Sequence, residues 1–182
     1  MNSQRYKTLS SKLLYSHERL ELVEDIIELP GGDKSTYLKY DGLRDSACLL
    51  VENDADKFLL LNEYTYPADR YIYQMPGGLL EQGETPQEGA ERELLEETGY
   101  IASNFQFLGT VMQDHRRSKA LLNLFYVSGL KLQKQQLEPQ EFINLQWFTK
   151  KEIQAIIKDN KLQHFGSLAA WGLYLNQQSL GY

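Results

Sequence analysis

Between Gly78 and Tyr100 the chain reads GLLEQGETPQEGAERELLEETGY, a run dense in glutamate with a single arginine, Arg92. An α-helix turns about 100° per residue, so Glu93, Glu96 and Glu97 fall within an arc of about 100° on one face. Like charges four apart on an exposed helix repel by roughly 0.2–0.5 kcal/mol, so this face calls for a positive partner. No Cys or His lies in the segment, and oxygen-only ligands select a hard cation, Mg²⁺ or Mn²⁺, over zinc. Mg²⁺ is usually held by a few carboxylates together with substrate phosphate, which points to phosphate chemistry. Upstream, Pro76-Gly77-Gly78 makes a tight turn able to bring a backbone carbonyl to the same ion, because glycine has no Cβ. Arg92 stands beside the acidic arc, where it can pair with a carboxylate and fix its orientation.

The helix that carries these groups is signalled at both ends. Thr85 is placed as N-cap, Pro86 takes the first helical position, and Glu88 completes a T-x-x-E capping box. Gly99 sits where a left-handed C-terminal cap belongs. A lone pair of glutamates on a helix is ordinarily a solvated face; here it is the complete spacing that argues for more.

Around this helix the pattern is first one of strands. Residues 12–16, 20–29 and 35–40 read as extended, the last two joined by Pro30-Gly31-Gly32-Asp33-Lys34. Two apolar runs follow, Ser46–Glu52 and Phe58–Tyr64, separated by a turn-rich spacer of hairpin length, and both are expected to be central strands. Beyond the helix, Phe105–Met112, Ala120–Val127 and Phe142–Phe148 read as strands. A second capping box, Thr149 with Glu152, opens another helix, and the spacing Leu168, Trp171, Leu175 marks a last one. Strands surrounding an internal helix, with helices at the end, predict an α+β fold of α/β/α sandwich type.

The chain has 182 residues, 42% hydrophobic and 24% charged, enough to bury a core as one domain with a small appendage. No run of about 18 apolar residues is present to span a membrane, and the start MNSQRYKTLSSKLL lacks a signal-peptide core. A cytoplasmic protein is expected. Cys48, the one cysteine, lies in an apolar run and is expected to be a buried thiol. The net charge of −6 disfavours extended binding to nucleic acid.

Taken whole, Gly78, then Glu84, then Arg92-Glu93-Leu94-Leu95-Glu96-Glu97-Thr98-Gly99 resembles the signature box of the Nudix hydrolases. Tyr100 stands where that box usually has an aliphatic residue. Phe58–Tyr64 and Gln74-Met75-Pro76-Gly77-Gly78 extend the resemblance to the ADP-ribose pyrophosphatase branch. The resemblance implies a Nudix-type sandwich with a mixed central sheet. It also implies Mg²⁺-dependent hydrolysis of a nucleoside diphosphate linked to another moiety, giving a nucleoside monophosphate and a sugar phosphate. Dinucleotides, nucleoside triphosphates and a non-cleaving ligand sensor are the alternatives. By the same carry-over, Glu93, Glu96 and Glu97 with the Gly77 carbonyl are expected metal ligands, and Glu84 a support of the loop. Residues 1–40 would form an antiparallel strand subdomain that builds a homodimer, ahead of a catalytic domain at 41–182. In this branch a glutamate on a late loop assists the water. Glu141 is the first candidate for it and Glu138 the second, with Asp114 and His115 as alternatives on another loop. Arg70, Arg116 and Arg117 are the cationic candidates for gripping phosphate. Tyr64, with Tyr66, Tyr71 and Tyr73, is a candidate for stacking on a base. Thr65 and Gln113-Asp114-His115 depart from the branch, which often has an arginine and a proline at those places.

Overall fold

The structure is a computed structural model and describes residues 5–135 and 142–180. It divides into two compact units, Met1–Arg44 with Met112–Ala120, and Asp45–Val111 with Leu121–Tyr182.

In the first unit β1 (Lys7–His17), β2 (Leu20–Glu28) and β3 (Lys34–Asp41) form an antiparallel sheet in sequence order. β1 begins earlier than its apolar residues suggest, because pairing with β2 runs from Lys7 opposite Glu28 to His17 opposite Leu20. All of β1 is exposed, whereas β2 alternates and buries Val23, Asp25 and Ile27. The segment 112–120 is tied to β3: the Tyr40 N–H donates to the Arg117 carbonyl at 2.7 Å, and the Tyr37 hydroxyl to that of Arg116.

The second unit holds β4 (Ser46–Val51), β5 (Lys57–Thr65), β6 (Arg70–Gln74), α1 (Pro86–Thr98), β7 (Tyr100–Met112), β8 (Leu121–Leu132), β9 (Ile143–Thr149), α2 (Lys150–Lys158) and α3 (Phe165–Leu180). One sheet is ordered β4-β8-β7, with β4 and β8 parallel; the other, β6-β5-β9, is antiparallel. The spacer after β4 does turn the chain, the Asn53 N–H donating to Lys57 O at 3.0 Å. Only the Glu52–Phe58 bridge follows from it, and β4 and β5 enter different sheets. The reason is that β4 has no edge left. Its one side pairs with β8, and on the other Ala47 and Leu49 donate to Gly78 O at 2.9 Å and Pro76 O at 2.8 Å.

Side chains alternate faces along a strand, and here both faces are covered. Ala47, Leu49, Val51 and Leu59 pack with Ala90 and Leu94 of α1, together with Phe125 and Val127. Cys48, Leu50, Phe58 and Leu60 pack with Ile153 of α2 and Ala170, Trp171 and Tyr174 of α3. This unit is therefore an α/β/α sandwich with mixed strands, and the two-sided burial explains why β4 and β5 read as unbroken apolar runs. Both predicted capping boxes are formed, at Thr85–Glu88 and Thr149–Glu152. The face of α3 differs from its apolar spacing: Leu168 is 38% exposed, while Gly166, Ser167, Ala170, Trp171 and Tyr174 are buried. Small residues seat this helix against β8, since a Cβ on Gly166 would lie 2.5 Å from Leu122 Cδ2. Among the described residues no helix is long and apolar enough to cross a membrane.

Candidate active site

The site is assembled from α1 and the turn 75–78. Ala90 and Leu94, four apart, are wholly buried and anchor the helix. Glu93 and Glu97 follow Ala90 and Leu94 by three residues each, on the rim of that stripe, only 8% and 5% exposed. The turn is held onto β4 by the two hydrogen bonds from Ala47 and Leu49. Glycine is obligatory there: Gly77 has φ +142°, and a Cβ on it would stand 2.1 Å from Ala47 O and 2.9 Å from Cys48 Cα. A Cβ on Gly78 would lie 2.4 Å from Glu93 Oε1. The turn thus lies directly on the carboxylate face, and the Gly77 N–H donates to Glu97 Oε2 at 2.7 Å.

Arg92 organises the remaining carboxylates. Its Nε and Nη2 fork onto Glu84 Oε1 and Oε2 at 2.8 and 3.0 Å. Nη1 reaches Glu93 Oε1 and Glu96 Oε2, each at 2.9 Å, and Nη2 also donates to Leu79 O at 2.9 Å. Glu84 above all, then Glu93 and Glu96, hold this guanidinium far above its ordinary value, against the cost of its partial burial. Glu84 further accepts the Glu81 N–H at 2.6 Å, so it links the loop before α1 to the helix through Arg92.

Among the described residues no group of three or more His, Cys, Asp or Glu side chains is already gathered around one point. Arg92 takes up the oxygens of Glu93 and Glu96 that face it. The donor set nevertheless fits a hard divalent cation, since it is oxygen only and sets four carboxylates, Glu84, Glu93, Glu96 and Glu97, against one guanidinium. Cys48, beneath the turn and 1% exposed, takes no part as a nucleophile, because burial pushes its thiol up to about 12.

The other expected residues have contacts of their own. The Tyr64 hydroxyl donates to Asp69 Oδ1 at 2.8 Å, and its ring meets Tyr71 edge-on at 5.7 Å. Arg70, at the start of β6, donates to Gln163 Oε1 and lines a cavity with it. Arg116 and Arg117 belong to the first unit, as do Asp114 and His115. Asp114 Oδ1 accepts the Arg116 N–H at 3.1 Å. Glu141 and Glu138 lie outside the described residues. Two supports, one of the turn and one of α1, carry no local sign in the sequence. Ser167 on α3, fully buried, accepts the Met75 N–H at 2.8 Å and lies 2.9 Å from His164 Nδ1. Gln135 donates to the Glu97 carbonyl at the end of α1.

Known proteins frame this geometry. The NUDIX domain model matches residues 42–169. An ADP-ribose pyrophosphatase of Bacillus subtilis (strain 168) is 26% identical over 166 residues, covering 89% of this chain and 88% of the relative. A methanol dehydrogenase activator of Bacillus methanolicus is 27% identical over 160 residues, 86% of this chain and 85% of the relative. The solved structure described as an ADP compounds hydrolase superposes with a TM-score of 0.87 at 20% identity, covering 98% of this chain and 95% of that one. Nudix hydrolases generally use divalent metal ions, in keeping with the oxygen donors of α1. With a family match over most of its length and the signature carboxylates on one face beneath a glycine turn, the chain belongs to the Nudix family and is a Nudix hydrolase resembling the ADP-ribose pyrophosphatase branch.

Proposed function

We propose that this protein hydrolyses the pyrophosphate bond of a nucleoside diphosphate linked to a further moiety, ADP-ribose or a nucleoside diphosphate sugar, releasing a nucleoside monophosphate and a sugar phosphate. The observation that carries this reading is the face of Glu93, Glu96 and Glu97, the first and last of them buried, with the Gly77–Gly78 turn pressed against it. The names of relatives that act on ADP-linked compounds support adenine as the base.

Glu93, Glu96, Glu97 and the Gly77 carbonyl would hold Mg²⁺, or Mn²⁺ in its place. When bound, the ion neutralises pyrophosphate charge and lowers the pKa of water. The chain's own residues do the positioning. Arg92 aligns Glu84, Glu93 and Glu96, and Glu97 fixes the turn through the Gly77 N–H. Glu141 is assigned as the base that takes the proton of the attacking water. Replacing it with Gln should slow turnover by roughly 10²–10⁴-fold, and near-normal turnover would eliminate it.

The deciding experiment supplies Mg²⁺ and a panel of ADP-ribose, nucleoside diphosphate sugars, dinucleotides and triphosphates, with Glu97→Gln as control. Cleavage of the ADP-linked class, abolished in the control, is the expected result. Tight binding without cleavage under any divalent metal would replace hydrolysis with ligand sensing. We also assign a homodimer to residues 1–40, on the ground that β1, among the described residues, is unpaired along one edge and leaves Leu9, Leu13, Leu14 and Tyr15 exposed. A monomeric mass by light scattering would refute it.

A further inference from the structure

Along β5 the side chains Phe58, Leu60 and Asn62 share one face by the two-residue period, the face covered by α2 and α3. Tyr73 lies opposite Asn62 in β6 and packs on the same core cluster. At this end of the sheet the chain following α2 comes alongside β6, fixed by a parallel bridge between Tyr73 and the buried Leu162. Asn160 makes the bend at φ +55°, a conformation asparagine tolerates. The result is a cavity of about 210 Å³ whose walls include Asn62, Arg70, Tyr73, Asn160, Lys161 and Gln163.

Its electrostatics run against those of the chain. Asp and Glu outnumber Lys and Arg by 25 to 19, yet among the described residues the lining has two cations and no carboxylate. The Arg70 guanidinium is oriented by Gln163 Oε1 and, among the described residues, has no carboxylate partner within ion-pair distance. Lys161 lies 3.6 Å from Asp159, but both side chains are mostly exposed, at 63% and 58%, and such a pair contributes little. Three carboxamides, Asn62, Asn160 and Gln163, add donors to the lining. Arginine's planar fork and a lysine point charge are the usual means of holding phosphate oxygens. The volume lies below the roughly 300–1,000 Å³ of pockets for drug-sized ligands, which limits the occupant to one small anionic group. The lining comes from β5, β6 and the segment after α2, and includes no residue of α1 or of the turn 75–78.

We propose that this cavity is a second ligand site, separate from the α1 carboxylates, which binds a small phosphate-bearing anion between Arg70 and Lys161. The group it recognises is a phosphate, free or as a monoester. Calorimetric titration of the full chain in EDTA, with inorganic phosphate in one arm and adenosine monophosphate in the other, tests this without any contribution from a bound metal. Binding in either arm should weaken at least ten-fold in Lys161→Glu and in the double variant Arg70→Ala/Lys161→Ala, and persist in Glu97→Gln. Equal affinity in both arms assigns recognition to the phosphate itself; tighter binding of the monoester adds the nucleoside to it. No binding to the wild type overturns the proposal. So does affinity unchanged in Lys161→Glu, a mostly exposed position that leaves the fold intact, or affinity lost in Glu97→Gln, which would put the anion on the hydrolytic face.

Discussion

Gly77→Ala is the substitution whose consequence can be worked furthest from the geometry. The new Cβ would lie 2.1 Å from Ala47 O and 2.9 Å from Cys48 Cα, both backbone atoms of a buried strand. Carbon and oxygen at ordinary contact need more than 3 Å, so the turn must retreat from β4 by roughly 1 Å. The bonds from Ala47 and Leu49, now 2.9 and 2.8 Å, would then exceed the range in which such bonds hold. Each is worth about 0.5–1.5 kcal/mol, and the charge-assisted bond from Gly77 to Glu97 about 1.5–3. The positive φ adds strain of about 1–3 kcal/mol if the turn stays instead. Since displacement and strain substitute for one another, the expected loss is about 3–5 kcal/mol. Urea unfolding followed by tryptophan fluorescence reads the correct unit, because Trp147 and Trp171 both lie in it. Gly172→Ala is the control in the same unit: nothing stands within 4 Å of its added Cβ, and its midpoint should not fall. A Gly77→Ala loss below about 1 kcal/mol would refute the claim that the turn is fixed against β4.

Arg92→Lys keeps the charge but not the fork on Glu84, and should cost about 1–3 kcal/mol at low salt and less at high salt; an unshifted urea midpoint would contradict it. Gly172, exposed within α3 with nothing within 4 Å of an added Cβ, should gain about 0.5–1 kcal/mol as Ala in the same assay. Burial holds the His164 imidazole below its ordinary 6.5, so the unfolded chain takes up a proton that the folded chain resists. Its penalty is absent above 6.5 and grows as pH falls below it; His164→Gln should flatten stability against pH in that acid range, and parallel curves for the two proteins would reject the assignment. Mg²⁺ should raise the melting temperature of the wild type by mass action and leave Glu93→Gln/Glu97→Gln unmoved; equal shifts in both would place the ion elsewhere.

What could be read in advance was what is local in the chain. The capping boxes at Thr85 and Thr149 each span four residues, and the spacing of Glu93, Glu96 and Glu97 is enforced by the helix itself. The rest depended on partners far along the chain. The spacer after β4 has hairpin length, but β4 pairs with β8 and with the turn at 76–78, which no local pattern announces. The buried stripe of α3 is shifted from its leucines because Gly166 and Ser167 are the residues small enough to approach β8 and Met75. Candidate ligand contacts suffer most from this. Arg70, Arg116 and Arg117 look alike in sequence as free cations, yet Arg70 is oriented by Gln163, 93 residues away, while the other two belong to a unit built on β1–β3. The same locality explains why the reaction class is easier to read than the ligand. The carboxylates that suit a divalent ion sit on one helix of 13 residues, whereas the cavity around Arg70 is contributed by β5, β6 and the segment after α2. A substitution in those segments would therefore alter the proposed second site while leaving α1 and its signature intact.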